Sequence, residues 1–449
     1  MFTAIELTNF RSFGHVRFDF EKKEKEYKEF IAIYGENGSG KSNFVAAIAL
    51  LPRFLSSLAD TFQLKLLKKY LEENKKVGHI TDIQDMIKAY DTFSLNFDEY
   101  RTIGCEERTK IKYEFVLNGI KGYYEIAFRS EIEYEELYYF GSRQRGVLFS
   151  IEKQNENIEA KLNAFVIQSD YQDAIQEKIQ QYWGKHSFLA IMHDEIHEKN
   201  KEYIENKVSA HLLNVMAAFG NLYIHCRETK YHQYGYGYDS RLRFRNFETI
   251  EIARNNQEDM SRLKLVEKII NDFYTQTYSD VVSAFYCLVD NEKQKTDTLH
   301  YELFLKKIIA GRVRDIPFSR ESAGTQSVLE VLRAIIEVVN GRTVIYDEVD
   351  EGIHDLLMTS ILTSVQRNFD GQFIVTTHNT TLLETIRPEC AYVIYCDDNG
   401  NKEARCLCDY GIRIQKTHNM RKLYLEGVFG GIPYSDQIDY SSMRVDTKQ

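Results

Sequence analysis

The chain has 449 residues, 43% hydrophobic and 28% charged, with a formal net charge of −10 at pH 7. That length holds two or three domains, and the acidic balance excludes a broadly basic, nucleic-acid-coating surface while leaving room for a local basic groove. The seven cysteines are scattered without a CxxC pair, which excludes a zinc ribbon or thioredoxin motif and suits reduced thiols.

The N-terminus, MFTAIELTNFRSF, lacks a basic segment followed by an apolar core, so no signal peptide is expected. No apolar run is expected to reach the roughly 20 residues that span a bilayer, and a cytoplasmic location follows. Ile5 and Leu7, then Phe10, Phe13 and Val16, alternate as a strand and turn that open a sheet. Phe30 to Tyr34 reads as a short buried strand running into Gly35-Glu36-Asn37-Gly38-Ser39-Gly40-Lys41-Ser42, which fits G-x-x-x-x-G-K-[ST] at every fixed position. Asn43 to Leu50 follows as a helix. Strand, glycine-rich loop and helix together form the context a phosphate-binding loop requires.

The middle of the chain is poor in proline, with Pro52 and Pro317 bounding it, which suits a helix-rich lobe. Leu64, Leu67 and Leu71 mark one amphipathic helix, and Ile175, Ile179 and Tyr182 a second with Ser169 as N-cap. Met260, Leu263, Val266, Ile270 and Phe273 mark a third. Between the first two lies a β-meander, with Ile111–Phe115 and Tyr123–Phe128 flanking a hairpin signal at Asn118-Gly119. Alternation returns at Tyr301–Leu305. A polar loop, Ser319–Thr325, then leads into an apolar helix closed by Asn340-Gly341. Thr343–Tyr346 is a buried strand ending in Asp347-Glu348, and Phe373–Thr376 another ending in Thr377-His378. Cys406 and Cys408 read as neighbours on one face of a further strand, and the tail beyond about Asp439 as disordered.

These motifs carry a consistent chemistry. In such a loop the backbone N–H groups and the helix N-terminus cradle phosphates, and the glycines permit the close approach. Lys41 then supplies charge to the β/γ-oxygens and the Ser42 hydroxyl a ligand for Mg²⁺. Asp347 would hold Mg²⁺ through water, and Glu348 would polarise the attacking water as general base. His378, at the end of the next strand, stands where a γ-phosphate sensor belongs, because ligand residues gather at strand C-termini. Ser322-Ala323-Gly324-Thr325 opens a second anion-seeking helix. Since one loop already covers one face of a triphosphate, that helix is expected to reach a nucleotide held by another copy of the chain.

The order Asn9-Phe10-Arg11-Ser12-Phe13, P-loop, SxG signature, Asp347-Glu348-Val349-Asp350 and His378 resembles the ABC ATPases of the SMC, RecF and OLD group. With Thr376-Thr377-His378-Asn379 and Tyr424–Pro433 added, it is similar to single-chain ATPases of antiphage systems: the AbiL type, AriA of PARIS and PtuA of Septu. The resemblance implies an α/β fold: an ABC-ATPase head with a mixed or parallel sheet, flanking helices and an N-terminal β-meander, plus a helical insertion lobe. The head would span 1–55, 105–160 and 280–435, with 56–104 a helical insertion, 161–279 a helical lobe and 436–449 a polar tail. It also implies ATP and Mg²⁺ as ligands and a head-to-tail homodimer formed on ATP. A separate effector, a nuclease or other toxin, would be the partner, and Arg11 would lie near the phosphates, with Asn43 also among the nucleotide-binding residues. His354 stands where many relatives carry an aspartate, and no glutamine is assigned to the Q-loop.

Two further features are weaker. His193 and His197 have metal-capable i, i+4 spacing, but the order is not H-E-x-x-H and no third ligand follows, so a solvated helix face is expected. Tyr231–Tyr238 with Arg241, Arg243 and Arg245 could contact a partner or single-stranded nucleic acid, or be plain surface. A DNA-repair ATPase resembling RecF and an ATP-stabilised oligomeric scaffold stay open beside the defence reading.

Overall fold

The computed structural model describes residues 1–22, 26–73, 95–139, 146–155, 157–226, 229–234, 244, 246–289, 298–366, 370–411 and 418–432, with 73, 201 and 229–234 as backbone only. The aromatic and arginine residues at 235–245, apart from Phe244, and the tail at 436–449 lie outside the described residues, so the expectations placed on them stay as they were.

The centre is a sheet whose strands run in the order Thr229–Tyr234, Tyr223–Cys226, Thr343–Tyr346, Gln372–Thr376, Phe30–Gly35, Ala391–Cys396 and Lys402–Cys406. The inner five are parallel and the two edge strands antiparallel. Burial on both faces explains why these strands read as unbroken apolar runs. Ile31, Ile33, Ile345, Ile374 and Ile394 point into one core. Their neighbours Phe30, Ala32, Tyr34, Val344, Phe373, Val375 and Val393 point into another.

The first core lies under helix Lys41–Glu73 and a second, antiparallel sheet in which Phe2–Phe10 and Phe13–Asp19 join the meander of Thr109–Leu117, Ile120–Phe128, Ile132–Tyr139, Val147–Gln154 and Asn157–Leu162. Asn118 and Gly119 both take positive φ (52° and 72°), the geometry of a tight two-residue hairpin. Buried Gln372 ties the two sheets: its amide donates to the carbonyls of Phe2 and Lys28, and its oxygen accepts from the Phe2 amide. The second core is covered by helices Ala323–Val339 and Asp355–Val365. Helix Ala323–Val339 presents Val328, Val331, Ala334 and Val338 to it. Its Leu329 and Leu332 face a third core, formed with helix Gln257–Thr277 over the strands Thr249–Ala253, Val281–Val289 and Thr298–Ile309.

Several expectations need correction. The helix after the P-loop does not stop near Leu50; it runs through Pro52 to Glu73 and absorbs the separate helix expected around Leu64–Leu71, crossing the 55/56 boundary. Burial on every side around the proline, from Phe44 to Leu58 with only Arg53 partly exposed, holds it together. This helix is also long and apolar enough in composition to cross a membrane, contrary to the expectation that no run would be, and 83% of its apolar window is buried inside the protein. The segment 161–279 is not a purely helical lobe. Its strand Tyr223–Cys226 pairs in parallel with Thr343–Tyr346 and belongs to the central sheet. Ser169 is the first residue of helix Ser169–Tyr182 and not its cap; Gln168 precedes it without a side-chain cap bond. Cys406 ends a strand and is buried, whereas Cys408 lies in a 3-10 turn and is exposed. Finally, helix Phe188–Glu198 is not a solvated face, because His193, Asp194 and Glu195 are buried.

Candidate functional site

The motif residues gather at the C-terminal ends of the parallel strands. Strand Phe30–Gly35 ends in the P-loop, whose Gly35, Gly38 and Gly40 all take positive φ (155°, 81° and 112°). Gly40 is required twice over. A side chain there would be strained by the backbone and would meet the Phe13 ring at 2.5 Å. The loop carries a turn in which the Ser39 amide donates to the Glu36 carbonyl at 3.2 Å, and the Lys41 ammonium donates to the carbonyls of Gly35 and Glu36 at 2.8 and 3.1 Å. Asn37 is exposed and Ser39 buried. Lys41 is 6% exposed. Burial pulls its pKa down, and the carboxylates of Glu348, Asp347, Asp350 and Glu36 push it back, which places all four in electrostatic reach of the ammonium.

Asp347 and Glu348 follow strand Thr343–Tyr346. Both are positioned by Thr376 at the end of the adjacent strand: its hydroxyl donates to Asp347 Oδ1 at 2.6 Å and accepts from the Glu348 amide at 2.7 Å. The Asp347 amide donates to the His225 carbonyl at 2.8 Å, so the strand that the sequence hid inside a helical lobe also fixes this corner. The His225 ring stacks on Tyr346 at 4.0 Å. Glu348 has φ of 51°, a left-handed conformation uncommon for a residue with a side chain and concentrated at functional sites.

His378 is exposed at the end of strand Gln372–Thr376, so it is no core histidine; its amide donates to the Asp350 carboxylate at 3.2 Å. Asp350 thereby fixes the backbone at His378. Buried Asn379 does the same from the other side. Its side-chain nitrogen donates to the Asp355 carbonyl and Thr359 hydroxyl, and its oxygen caps the amides of Thr381 and Leu382. His354 caps helix Asp355–Val365, its Nδ1 accepting from the Leu356 amide.

Arg11 sits at positive φ (48°), with Nη1 donating to Asn43 Oδ1 at 3.4 Å and its guanidinium 5.1 Å from the centre of the Tyr100 ring. Ser322 caps helix Ala323–Val339 by accepting from the Thr325 amide at 3.2 Å; Ser322 and Ala323 are exposed and Thr325 buried. A side chain at Gly324 would strike the Gly352 carbonyl, so only glycine lets the signature lie against the loop after Glu348. Gln326 fixes the approach, donating to the carbonyls of Phe318, Ser319 and Glu321. The C-terminal motif packs against the P-loop strand. The Tyr424 ring lies tilted against Tyr34, centroids 5.8 Å apart, and a side chain on Gly431 would meet Val393 and come within 3.5 Å of the Gly35 Cα.

The residues present fit a nucleotide with a hard divalent cation. Ser42 and Asp347 line one small cavity with Arg53, Tyr100 and Cys226, which brings together two residues that carry the kinds of oxygen donor Mg²⁺ takes. Residues 30–384 match the family described as "AAA domain, putative AbiEii toxin, Type IV TA system". The chain belongs to this family. It is thus an AAA-type P-loop protein, and its matched segment takes in the P-loop, signature, Asp347-Glu348 and His378 together. No curated protein matches it. Among solved structures, it is similar to an SMC head bound to the C-winged helix domain of ScpA, at 14% identity and a TM-score of 0.41, covering 90% of this chain and 97% of that one. It is also similar to the SMC head domain from Thermotoga maritima, at 15% identity and a TM-score of 0.38, covering 90% and 98%.

Proposed function

We propose that the chain binds and hydrolyses ATP as a subunit of a bacterial antiphage defence system, dimerises head to tail on ATP and controls a separate effector. The observation that carries the hydrolytic part is the gathering of Lys41, Ser42, Asp347 and Glu348 at the C-terminal ends of the parallel strands, with Glu348 held in a strained backbone by Thr376.

Lys41 balances the charge of the β- and γ-phosphates, and the first amides of helix Lys41–Glu73, which lack intrahelical partners, bind phosphate oxygens. Mg²⁺, held by Ser42 and by Asp347 through water, would neutralise charge developing on the phosphates. Glu348 orients a water and takes its proton at the carboxylate, and His378 donates toward the γ-phosphate. Exposed Ser322 and Ala323 at a helix N-terminus support a contact with the nucleotide of a second copy. The family's description as a toxin of a toxin–antitoxin system supports the defence role and a partner chain.

Phage challenge of cells carrying this gene and its neighbours tests the reading. Lys41→Ala and Glu348→Gln should each abolish protection, and the purified wild type should release phosphate from ATP in Mg²⁺. Full protection by both variants would overturn the role of hydrolysis in defence.

A further inference from the structure

A second lysine grips the P-loop from outside. Lys402 opens the edge strand Lys402–Cys406, which pairs with Ala391–Cys396 and through it neighbours the P-loop strand. Its ammonium donates to the Gly38 carbonyl at 2.6 Å and to Ser12 Oγ at 2.8 Å, and lies 5.8 Å from the centre of the Phe13 ring. Ser12 Oγ also accepts from Asn43 Nδ2 at 2.7 Å, and Asn43 Oδ1 accepts from Arg11. One polar chain therefore links Arg11, Asn43, Ser12, Lys402 and Gly38, joining the first loop, the start of the P-loop helix, the edge strand and the loop apex.

The Gly38–Ser39 peptide is thereby fixed at both ends, its carbonyl by Lys402 and its amide by Glu36. Gly38 is exposed at φ of 81°, a position with little intrinsic restraint, so the apex needs an external anchor. The two lysines divide the work. Around Lys41 lie the carboxylates of Glu348, Asp347 and Asp350, at the reacting end, besides Glu36, which both lysines share. Around Lys402 lie Glu36 and Cys396, on the loop side, and its two bonds are charge-assisted.

We propose that Lys402 is a positioning residue of the nucleotide site, whose ammonium anchors the P-loop apex and the Arg11–Ser12 loop and so sets affinity for the polyphosphate of a nucleoside triphosphate. The inference rests on the reading of the P-loop as an ATP site and adds a residue that lies beyond its motif.

The test is calorimetric titration of ATP with Mg²⁺ into the full chain, alongside steady-state turnover and melting temperature, for wild type, Lys41→Ala, Lys402→Met and Lys402→Arg. Lys402→Met should raise Kd and KM about tenfold, with kcat within about twofold of wild type and an unchanged melting temperature. Lys402→Arg, which keeps charge and donors, should recover most of the affinity. Wild-type affinity in Lys402→Met would overturn the role of Lys402 alone. So would a loss that follows a fallen melting temperature and is not repaired by arginine. Failure of the wild type itself to bind ATP would overturn the ATP reading, a separable result.

Discussion

At the scale of single residues, the site depends on side chains that do no chemistry but place those that do. Thr376 is the clearest case, because one hydroxyl serves both Asp347 and the Glu348 backbone. Thr376→Val keeps the shape and removes both bonds, leaving a buried carboxylate oxygen and an amide short of a partner. Turnover should fall by about tenfold, with a melting temperature lower by a few degrees, read from phosphate release and thermal unfolding. The motif residues themselves should separate more sharply. Lys41→Ala should lose nucleotide binding, while Glu348→Gln should bind ATP and hydrolyse it about 10²-fold more slowly or worse. His378→Ala should slow turnover and leave folding intact, since the exposed ring is not part of a core. Wild-type turnover in Glu348→Gln would move the general base to another residue.

At the scale of elements, helix Phe188–Glu198 shows how burial changes what a motif means. Ser187 caps it by accepting from the Ala190 amide, and fully buried Glu135 accepts from the Phe188 amide and Trp183 Nε1 at 2.7 and 2.8 Å. These bonds pull the helix onto the antiparallel sheet and bury His193, whose ring lies 4.1 Å from that of exposed His197. Burial first, and His197 second, lower the His193 pKa to about 4. The ordinary value of about 6.5 applies in the unfolded chain, so between these values the unfolded state binds the extra proton. Stability is therefore complete above pH 6.5 and declines as pH falls toward 4. At pH 5 the loss from this one group should be about 2 kcal/mol. His193→Gln should flatten the fall in melting temperature between pH 7 and 5; an equally steep fall in the variant would assign the pH dependence to other groups.

At the scale of the whole molecule, one chain carries two anion-seeking helix N-termini, at Lys41 and at Ser322. A two-fold pair of chains would bury two nucleotides, each between the P-loop of one copy and the signature of the other. Contacts of this kind are worth about 1–3 kcal/mol each, enough for ATP to control pairing. Lys41→Ala and Ser322→Arg should each be inactive, and mixing them should restore part of the ATPase rate, because a mixed dimer retains one intact composite site. Activity in Ser322→Arg alone would refute completion of the site by a partner copy.

Much of this was legible in the amino-acid sequence because the relevant constraints are local. The P-loop needs its glycines within a few residues, the hairpin needs Asn118-Gly119 at adjacent positions, and both-face burial writes each inner strand as a run of apolar residues. Chain order then linked the P-loop, Ser322–Thr325, Asp347-Glu348 and His378. What stayed hidden depends on contacts between segments far apart in the chain. Strand Tyr223–Cys226 is too short to stand out, and only its pairing with Thr343–Tyr346 makes it part of the central sheet. Pro52 reads as a stop, yet burial on every side carries the helix through it. His193 and His197 share a spacing that looks solvated until Glu135 draws the helix into the core. Thr376 and Asp350 lie inside motifs and Lys402 in none, but the positioning role of all three was hidden, because a hydrogen bond across 28, 28 or 364 positions leaves no periodicity to read. Local backbone and burial patterns marked the residues for the proposed chemistry; tertiary contacts alone decided which ordinary side chains would hold them in place.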